Sequence, residues 1–222
     1  MKRLVAVSIL SFSLYGQAAK TANDRYRTPA GREAVAKGLG ASDRDARQKP
    51  QELVDAMQLR AGMTVADIGT GVGYMLPFLS KAVGPRGRVL AEDIFDDFLA
   101  QAKTHAADTK LANVTFIKGT EHGPQLPGDS VDVALALDSY HHYDYPADML
   151  AGIHRGLKTG GRLVIVEFYK TRDAMPGGNA LEHIRLNKPE LIKEVEANRF
   201  RLLSSRDHIP GSQYMAVFEK AE

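Results

Sequence analysis

The sequence predicts an α/β domain built on a doubly wound sheet of seven strands, mostly parallel, with an antiparallel hairpin at its C-terminal end. Three observations carry that prediction. Five apolar runs from TVADIG to GRLVIVEFYK are for the most part spaced by helix-length segments, the pattern of a parallel sheet covered on both faces. A glycine-rich turn follows the first run and opens a helix. Two further strand-like runs, RFRLLSS and SQYMAVFEK, are joined by the short RDHIPG near the end of the chain.

The elements follow in order. MKRLVAVSILSFSLYGQAAK places Lys2 and Arg3 before an apolar stretch from Leu4 to Leu14, then small residues at Gly16 and Ala18. That is the pattern of a secretory leader, residues 1–19, cleaved near Ala18 or Ala19. The apolar stretch is too short for a bilayer span, which needs about 20 residues. An exported chain, periplasmic or secreted and without stable membrane insertion after cleavage, is therefore expected. Residues 20–50 are polar with scattered Gly and Pro and read as an extended arm with a short helix or two. The domain proper runs over 51–222. ELVDAMQL, MLPFLSKAV, DDFLAQAKTHAADT, PADMLAGIHRGL and LEHIRLNKPELIKEVEANRF are its helical segments; RAGMTVADIG, GRVLAEDI, NVTFIKG, SVDVALALD and GRLVIVEFYK are its first five strands.

Composition narrows the function. With 222 residues, 44% of them hydrophobic, the chain can bury one continuous core. A formal charge of +2, falling to about zero when Lys2 and Arg3 leave with the leader, gives no footprint for nucleic acid. The absence of Cys excludes disulfides, thiolate metal sites and a cysteine nucleophile.

VADIGTGVGYM, residues 65–75, places Gly69, Thr70, Gly71 and Gly73 in the turn. Glycines there let the backbone turn tightly and let a ligand lie against it. A dinucleotide fold needs its third glycine one residue later, for helix packing, and Tyr74 stands there. Asp67 would repel a pyrophosphate and favour a positively charged ligand. Glu92 and Asp93 end the next strand, where an acid can accept hydrogen bonds from both hydroxyls of a ribose. Asp93 is the first choice and Glu92 the fallback; capping of the following helix is the competing role.

These motifs, with NVTFIKGTEHGPQLPGDSVDVALALDSYHH and LKTGGRLVIVEF, resemble the class I S-adenosylmethionine-dependent methyltransferases, in the branch of the ubiquinone/menaquinone methyltransferases. The chain is also similar to exported members of that family in its leader, its RDARQKP segment and its C-terminal tail. The resemblance implies a Rossmann-like sheet and S-adenosyl-L-methionine as methyl donor. It implies that Asp67, Gly69, Gly71 and Gly73 cradle the methionine part and Asp93 the ribose, while Thr120 and Glu121 approach the adenine. Many relatives carry Asp where Thr120 stands. Tyr26 and Arg27, with residues 43–49, would fold over the donor.

LDSYHHYDYP, residues 137–146, ends the fourth strand. Asp138, Ser139 and Tyr140 come first and would touch the donor. His141 and His142 would point in opposite directions in extended backbone, so one of them faces the acceptor. Two readings stay open: His142 as a base with Tyr140 as its partner, or a pocket wall that shapes the acceptor site. Asp138, Asp144, Glu167 and His183 are further ligand types, yet no metal site is expected, because adjacent histidines rarely ligate one ion and no known ligand spacing is present. The predicted activity is methyl transfer to a small-molecule or lipid-like acceptor. The alternatives are a protein carboxyl methyltransferase, which IGTGVGY and AVGPRGRVL resemble, and a binding protein for S-adenosylmethionine or a related nucleoside.

Overall fold

A computed structural model describes residues 18–175 and 177–222. The predicted leader lies outside the described residues except for Ala18 and Ala19. Seven strands, β1 (Thr64–Ile68), β2 (Arg88–Asp93), β3 (Val114–Lys118), β4 (Val131–Leu137), β5 (Leu157–Phe168), β6 (Phe200–Ile209) and β7 (Gln213–Lys220), form one sheet in the order β3-β2-β1-β4-β5-β7-β6. The first five pair in parallel, and β7 runs antiparallel to both β5 and β6. The predicted sheet and hairpin are thus present. The winding reverses between β1 and β4, and open α/β sheets bind ligands beyond the strand ends at such a switch point.

Strand alternation sorts the core into two layers. Val133, Leu135 and Leu137 of β4 face α3 (Pro50–Met57), α4 (Leu76–Val83) and α5 (Asp96–Asp108). Ala134 and Ala136 face the other way, toward α6 (Pro146–Gly156) and α8 (Lys188–Glu196). Leu53, Leu76, Leu150 and Ile153 are completely buried, and each such aliphatic side chain contributes about 1.5–3 kcal/mol through its removal from water. Pro50, Pro77 and Pro146 stand in the first turns of α3, α4 and α6, where a missing N–H is not felt.

Three segments differ from the sequence reading. The helix predicted over LEHIRLNKPELIKEVEANRF is broken into α7 (Ala180–His183) and α8. The break has a local cause: Asn187 and Glu190 form a reciprocal capping box, with Pro189 in the first turn, so a new helix starts there. Replacing Asn187 with Ala should cost about 1 kcal/mol and lower the calorimetric Tm by about 2–4 °C. Strand β5 begins at Leu157 and carries LKTGG inside it, with Gly160 at φ +72.

The arm carries the two short helices expected of it but is folded back on the domain rather than extended. A 3-10 turn (Asp24–Arg27), α1 (Pro29–Leu39) and α2 (Arg44–Gln48) lie against the switch point. The Tyr74 hydroxyl donates to Asp45 at 2.8 Å, Arg44 stacks 3.9 Å from the centre of the Tyr74 ring, and Gln48 donates to Gln213 at 2.9 Å. Tyr74, the residue that argued against a dinucleotide loop, is thus an anchor for the arm.

Candidate active site

At the switch point lies a cavity of about 290 Å³, walled by the glycine loop, the tips of β2 and β4, and the folded arm. The three glycines have φ of +74, +56 and +84 for Gly69, Gly71 and Gly73, a region that L side chains rarely adopt. Their surroundings differ. A Cβ on Gly69 would lie 2.8 Å from the Ser139 Cβ; one on Gly71 would meet only the tip of Leu39, at 3.0 Å. A Cβ on Gly73 would lie 2.9 Å from Leu76 and 3.2 Å from the Cα of Ala102 in α5. Gly69, Thr70 and Gly71 line the cavity; Gly73 does not, and serves instead the close helix packing assigned above to the position of Tyr74. Asp67 also sits behind the wall, where its Oδ2 accepts a 2.7 Å hydrogen bond from the Thr70 hydroxyl.

Three buried acids, Asp67, Glu92 and Asp93, and the partly buried Asp138 surround this loop. Burial raises Asp67 to about 6 against the Thr70 hydrogen bond and Arg44, and raises Asp93 to about 6 against the N–H groups of Phe95 and Gly71. Asp93 Oδ2 accepts from Gly71 N at 2.9 Å and its Oδ1 from Phe95 N at 2.9 Å. Glu92 Oε2 accepts from Gly69 N at 3.2 Å, while its Oε1 is buried without a partner. Burial, then the charge of Asp93, pushes Glu92 well above the ordinary range. Asp138 stands at φ +51, a conformation Asp tolerates better than most residues. Burial and Glu167 raise its carboxyl to about 7, against Arg44, His141 and the 2.7 Å hydrogen bond from Gln213. Arg44 lines the same cavity; its Nη1 donates to the Leu39 carbonyl at 2.7 Å.

The far end is aromatic. Tyr26 stacks on Phe95 at 5.9 Å, and meets Phe98 at 6.0 Å and His142 at 4.6 Å edge-on, so it roofs the cavity from one end to the other. Thr120 and Glu121 form an exposed rim beside it. Phe95, Phe98 and Asn23 line the cavity without having been singled out in the sequence. For the two phenylalanines the signal available was their place directly after the acid pair; for Asn23 there was none, because its partners lie more than a hundred residues away.

The segment after β4 corrects the expected geometry. Tyr140, His141 and His142 form a 3-10 turn rather than extended chain, and the two imidazoles lie on the same side, 4.1 Å between ring centres. Tyr140, expected as the partner of His142, points elsewhere: it is buried and donates to Glu194 at 2.6 Å, outside the cavity lining. His142 lines the cavity. Its Nδ1 is 2.8 Å from the Asn23 Oδ1, and the Asn23 amide donates to the His142 carbonyl at 3.0 Å and to Asp144 at 3.1 Å. Asp144 in turn accepts from the backbone N–H of Ala19 at 3.1 Å. Burial, with His141 and His183 nearby, lowers His142 well below the ordinary histidine range, so its imidazole is neutral at pH 7. His141 is buried on Glu167, with Nδ1 2.7 Å from Oε2.

Residues 66–165 match the methyltransferase-domain family. The chain is 32% identical over 113 residues to the ubiquinone/menaquinone biosynthesis C-methyltransferase UbiE of a Marinomonas species, a match covering 50% of this chain and 45% of that one. It thus spans less than half the length of that curated relative. A solved S-adenosylmethionine-dependent methyltransferase from Aquifex aeolicus superposes with a TM-score of 0.78 at 26% identity, over 85% of this chain and 98% of the other. The cyclase SpnF superposes with a TM-score of 0.68 at 19% identity, over 82% and 85%, a likeness of fold alone. The residues present fit S-adenosylmethionine. The buried acid pair, with one Glu92 oxygen unpartnered, suits ribose hydroxyls; Arg44 suits the methionine carboxylate; Phe95, Phe98 and Tyr26 suit adenine. Residues 66–165 thus match a methyltransferase domain in sequence, and most of the chain shares its fold with an S-adenosylmethionine-dependent methyltransferase.

Proposed function

We propose that the chain transfers the methyl group of S-adenosylmethionine to an oxygen, nitrogen or carbon nucleophile of a small-molecule or lipid-like acceptor. The observation that carries this reading is the position of His142: a neutral imidazole on the cavity wall, beyond the tip of β4 and fixed by Asn23. S-adenosylmethionine, when bound, supplies an electrophilic methyl on a sulfonium. Glu92 and Asp93 accept the ribose hydroxyls, with the backbone N–H groups of Gly69 and Gly71 holding both acids in place. Arg44 pairs with the carboxylate, and Tyr26 excludes water from above. Because Asn23 Oδ1 accepts from His142 Nδ1, the Nε2 lone pair is left to hold or take a proton from the acceptor. The leader pattern supports action outside the cytoplasm. Among the described residues no helix is long and apolar enough to cross a membrane.

Calorimetry with S-adenosylmethionine and S-adenosylhomocysteine, followed by turnover against an acceptor panel, tests the proposal. Saturable binding of both with methylation of at least one acceptor is expected; no binding of either sinks it. His142→Ala should lower kcat by roughly 10²-fold or more if the imidazole takes the proton. A variant with full turnover assigns His142 to the wall.

A further inference from the structure

His183, named above only as a further ligand type, ends α7. In the fold it closes a group of three imidazoles. Its ring centre lies 4.8 Å from that of His141 and 5.5 Å from that of His142, and one ring nitrogen of each of the three lies within 4.8 Å of the others. From these observations we propose that His141, His142 and His183 form a binding site for one borderline divalent metal ion of the Zn²⁺ type, at the acceptor end of the cavity. The inference deepens the methyl-transfer reading and rests on it only for the role of the ion, not for its binding.

Three features carry the assignment. The first is the state of the ligands. His141 Nδ1 faces the Glu167 carboxylate at 2.7 Å, and His142 Nδ1 faces the Asn23 amide oxygen at 2.8 Å. An oxygen acceptor at Nδ1 holds the proton there and leaves the Nε2 lone pair for a metal, the carboxylate–histidine arrangement that accompanies metal ligation. The Asn23 orientation is fixed independently, since its amide nitrogen already serves two acceptors, the His142 carbonyl and Asp144. Glu167 is likewise held in place, accepting from the backbone N–H groups of His141 at 3.1 Å and Phe168 at 2.8 Å.

The second feature is distance. Nitrogens bound to one tetrahedral Zn²⁺ lie about 3.4 Å apart for metal–nitrogen bonds of about 2.0–2.1 Å. The separation of 4.8 Å or less therefore closes by about 1.4 Å at most. His183, at the end of the four-residue helix α7 and only half-buried, is the ligand that can move. The third is ligand chemistry. A set of three imidazole ligands suits Zn²⁺, Co²⁺, Ni²⁺ or Fe²⁺ and does not suit Mg²⁺ or Ca²⁺, which take oxygen. Three protein ligands leave a coordination position open, as in catalytic rather than structural zinc sites. His142 borders the cavity, so an acceptor hydroxyl bound there as the ion's fourth ligand loses its proton to solvent more readily, and with the ion present this activation replaces proton transfer to His142 Nε2.

The adjacent histidines that argued against a metal in the sequence can share one ion here because the 3-10 turn puts both rings on one side.

The test uses the tag-free chain, stripped with chelator and titrated with Zn²⁺ by calorimetry and with Co²⁺ by visible absorption. One equivalent of Zn²⁺ at submicromolar affinity, a four- or five-coordinate Co²⁺ spectrum and no binding of Mg²⁺ are expected. His183→Ala should weaken Zn²⁺ binding by at least about 100-fold, and Asn23→Ala by about 10–100-fold, the range for a residue that orients a ligand. His122→Ala, which alters an exposed imidazole paired with Asp148, should change nothing. Absence of stoichiometric binding, or wild-type affinity in a folded His183→Ala, overturns the site. Metal binding without methylation of any acceptor upholds the site and tells against the methyl-transfer reading; methylation at full rate by a stripped protein that binds no metal does the reverse.

Discussion

Between about pH 4 and about pH 7 the ligand-free protein is expected to lose stability at its donor site while its affinity for S-adenosylmethionine rises. Asp67 and Asp93 titrate near 6 and Asp138 near 7 in the folded chain, raised in each case first by burial, with Glu92 pushed up beside them for the same reason. In the unfolded chain an aspartate titrates near about 3.9. The folded state therefore holds these protons more tightly. The stabilisation this gives is fully present below the unfolded value and is lost as the pH climbs through the folded ones. For a carboxyl raised by about two units the loss is on the order of 2–3 kcal/mol, and coupling among the four keeps the sum below simple addition.

Donor binding runs the other way. A carboxylate accepts from the ribose hydroxyls and offsets the sulfonium charge, whereas a protonated carboxyl does neither as well. Each proton released on binding adds a slope of about tenfold in affinity per pH unit below the folded pKa. Calorimetry at pH 5, 6 and 7 in buffers of different ionisation enthalpy measures both the slope and the protons released. Asp93→Asn should flatten part of the slope while leaving the fold intact. A Kd constant over this range would show that the acids are already ionised in the empty site, and would remove the electrostatic account of the cavity.

Where the sequence was legible, the information was local. The glycine loop, the Glu92–Asp93 pair and the apolar period of each strand lie within a few residues of what they determine, so the sheet and part of the cavity wall at its switch point could be read directly. The histidine cluster could not. Its geometry depends on Asp138 entering a left-handed conformation, on the 3-10 turn that follows, and on a break at Asn187 that ends one helix near His183 and starts another. None of these is a matter of apolar periodicity. The roof was legible only in outline. Tyr26 and the segment 43–49 could be expected over the donor, but the fastening of Asn23 to His142 and of Gln48 to Gln213 joins residues 119 and 165 positions apart. Propensity and patterning carry no signal over such separations. Tyr140 failed for a simpler reason: adjacency to a site residue says little about direction, and its hydroxyl found Glu194 instead.

The glycine loop supplies the second large effect, because its three glycines should separate when each is changed to Ala. Gly73→Ala is expected to act on folding. A side chain at φ +84 is strained, and its Cβ would press on Leu76 at 2.9 Å and on the backbone of Ala102 at 3.2 Å, where α5 packs against the loop. Backbone strain of about 1–3 kcal/mol joins overpacking of about 1–3 kcal/mol, enough to lower Tm by roughly 5–15 °C in a domain of this size. Since Gly73 does not line the cavity, the fraction that remains folded should bind S-adenosylmethionine with nearly unchanged Kd. Gly71→Ala should do the opposite. Its φ of +56 is the left-handed conformation that other residues tolerate best, and its Cβ meets only the movable tip of Leu39, so the stability loss should stay near about 1 kcal/mol. That methyl group, however, stands in the cavity beside the N–H that holds Asp93, and donor affinity should fall by more than the loss of stability explains. Gly69→Ala combines both effects, since its Cβ would lie 2.8 Å from Ser139 at the seam between the loop and the β4 tip. Thermal unfolding and calorimetry on the three variants separate these roles: equal losses of Tm and affinity in Gly71→Ala and Gly73→Ala would mean that the loop acts as one rigid unit.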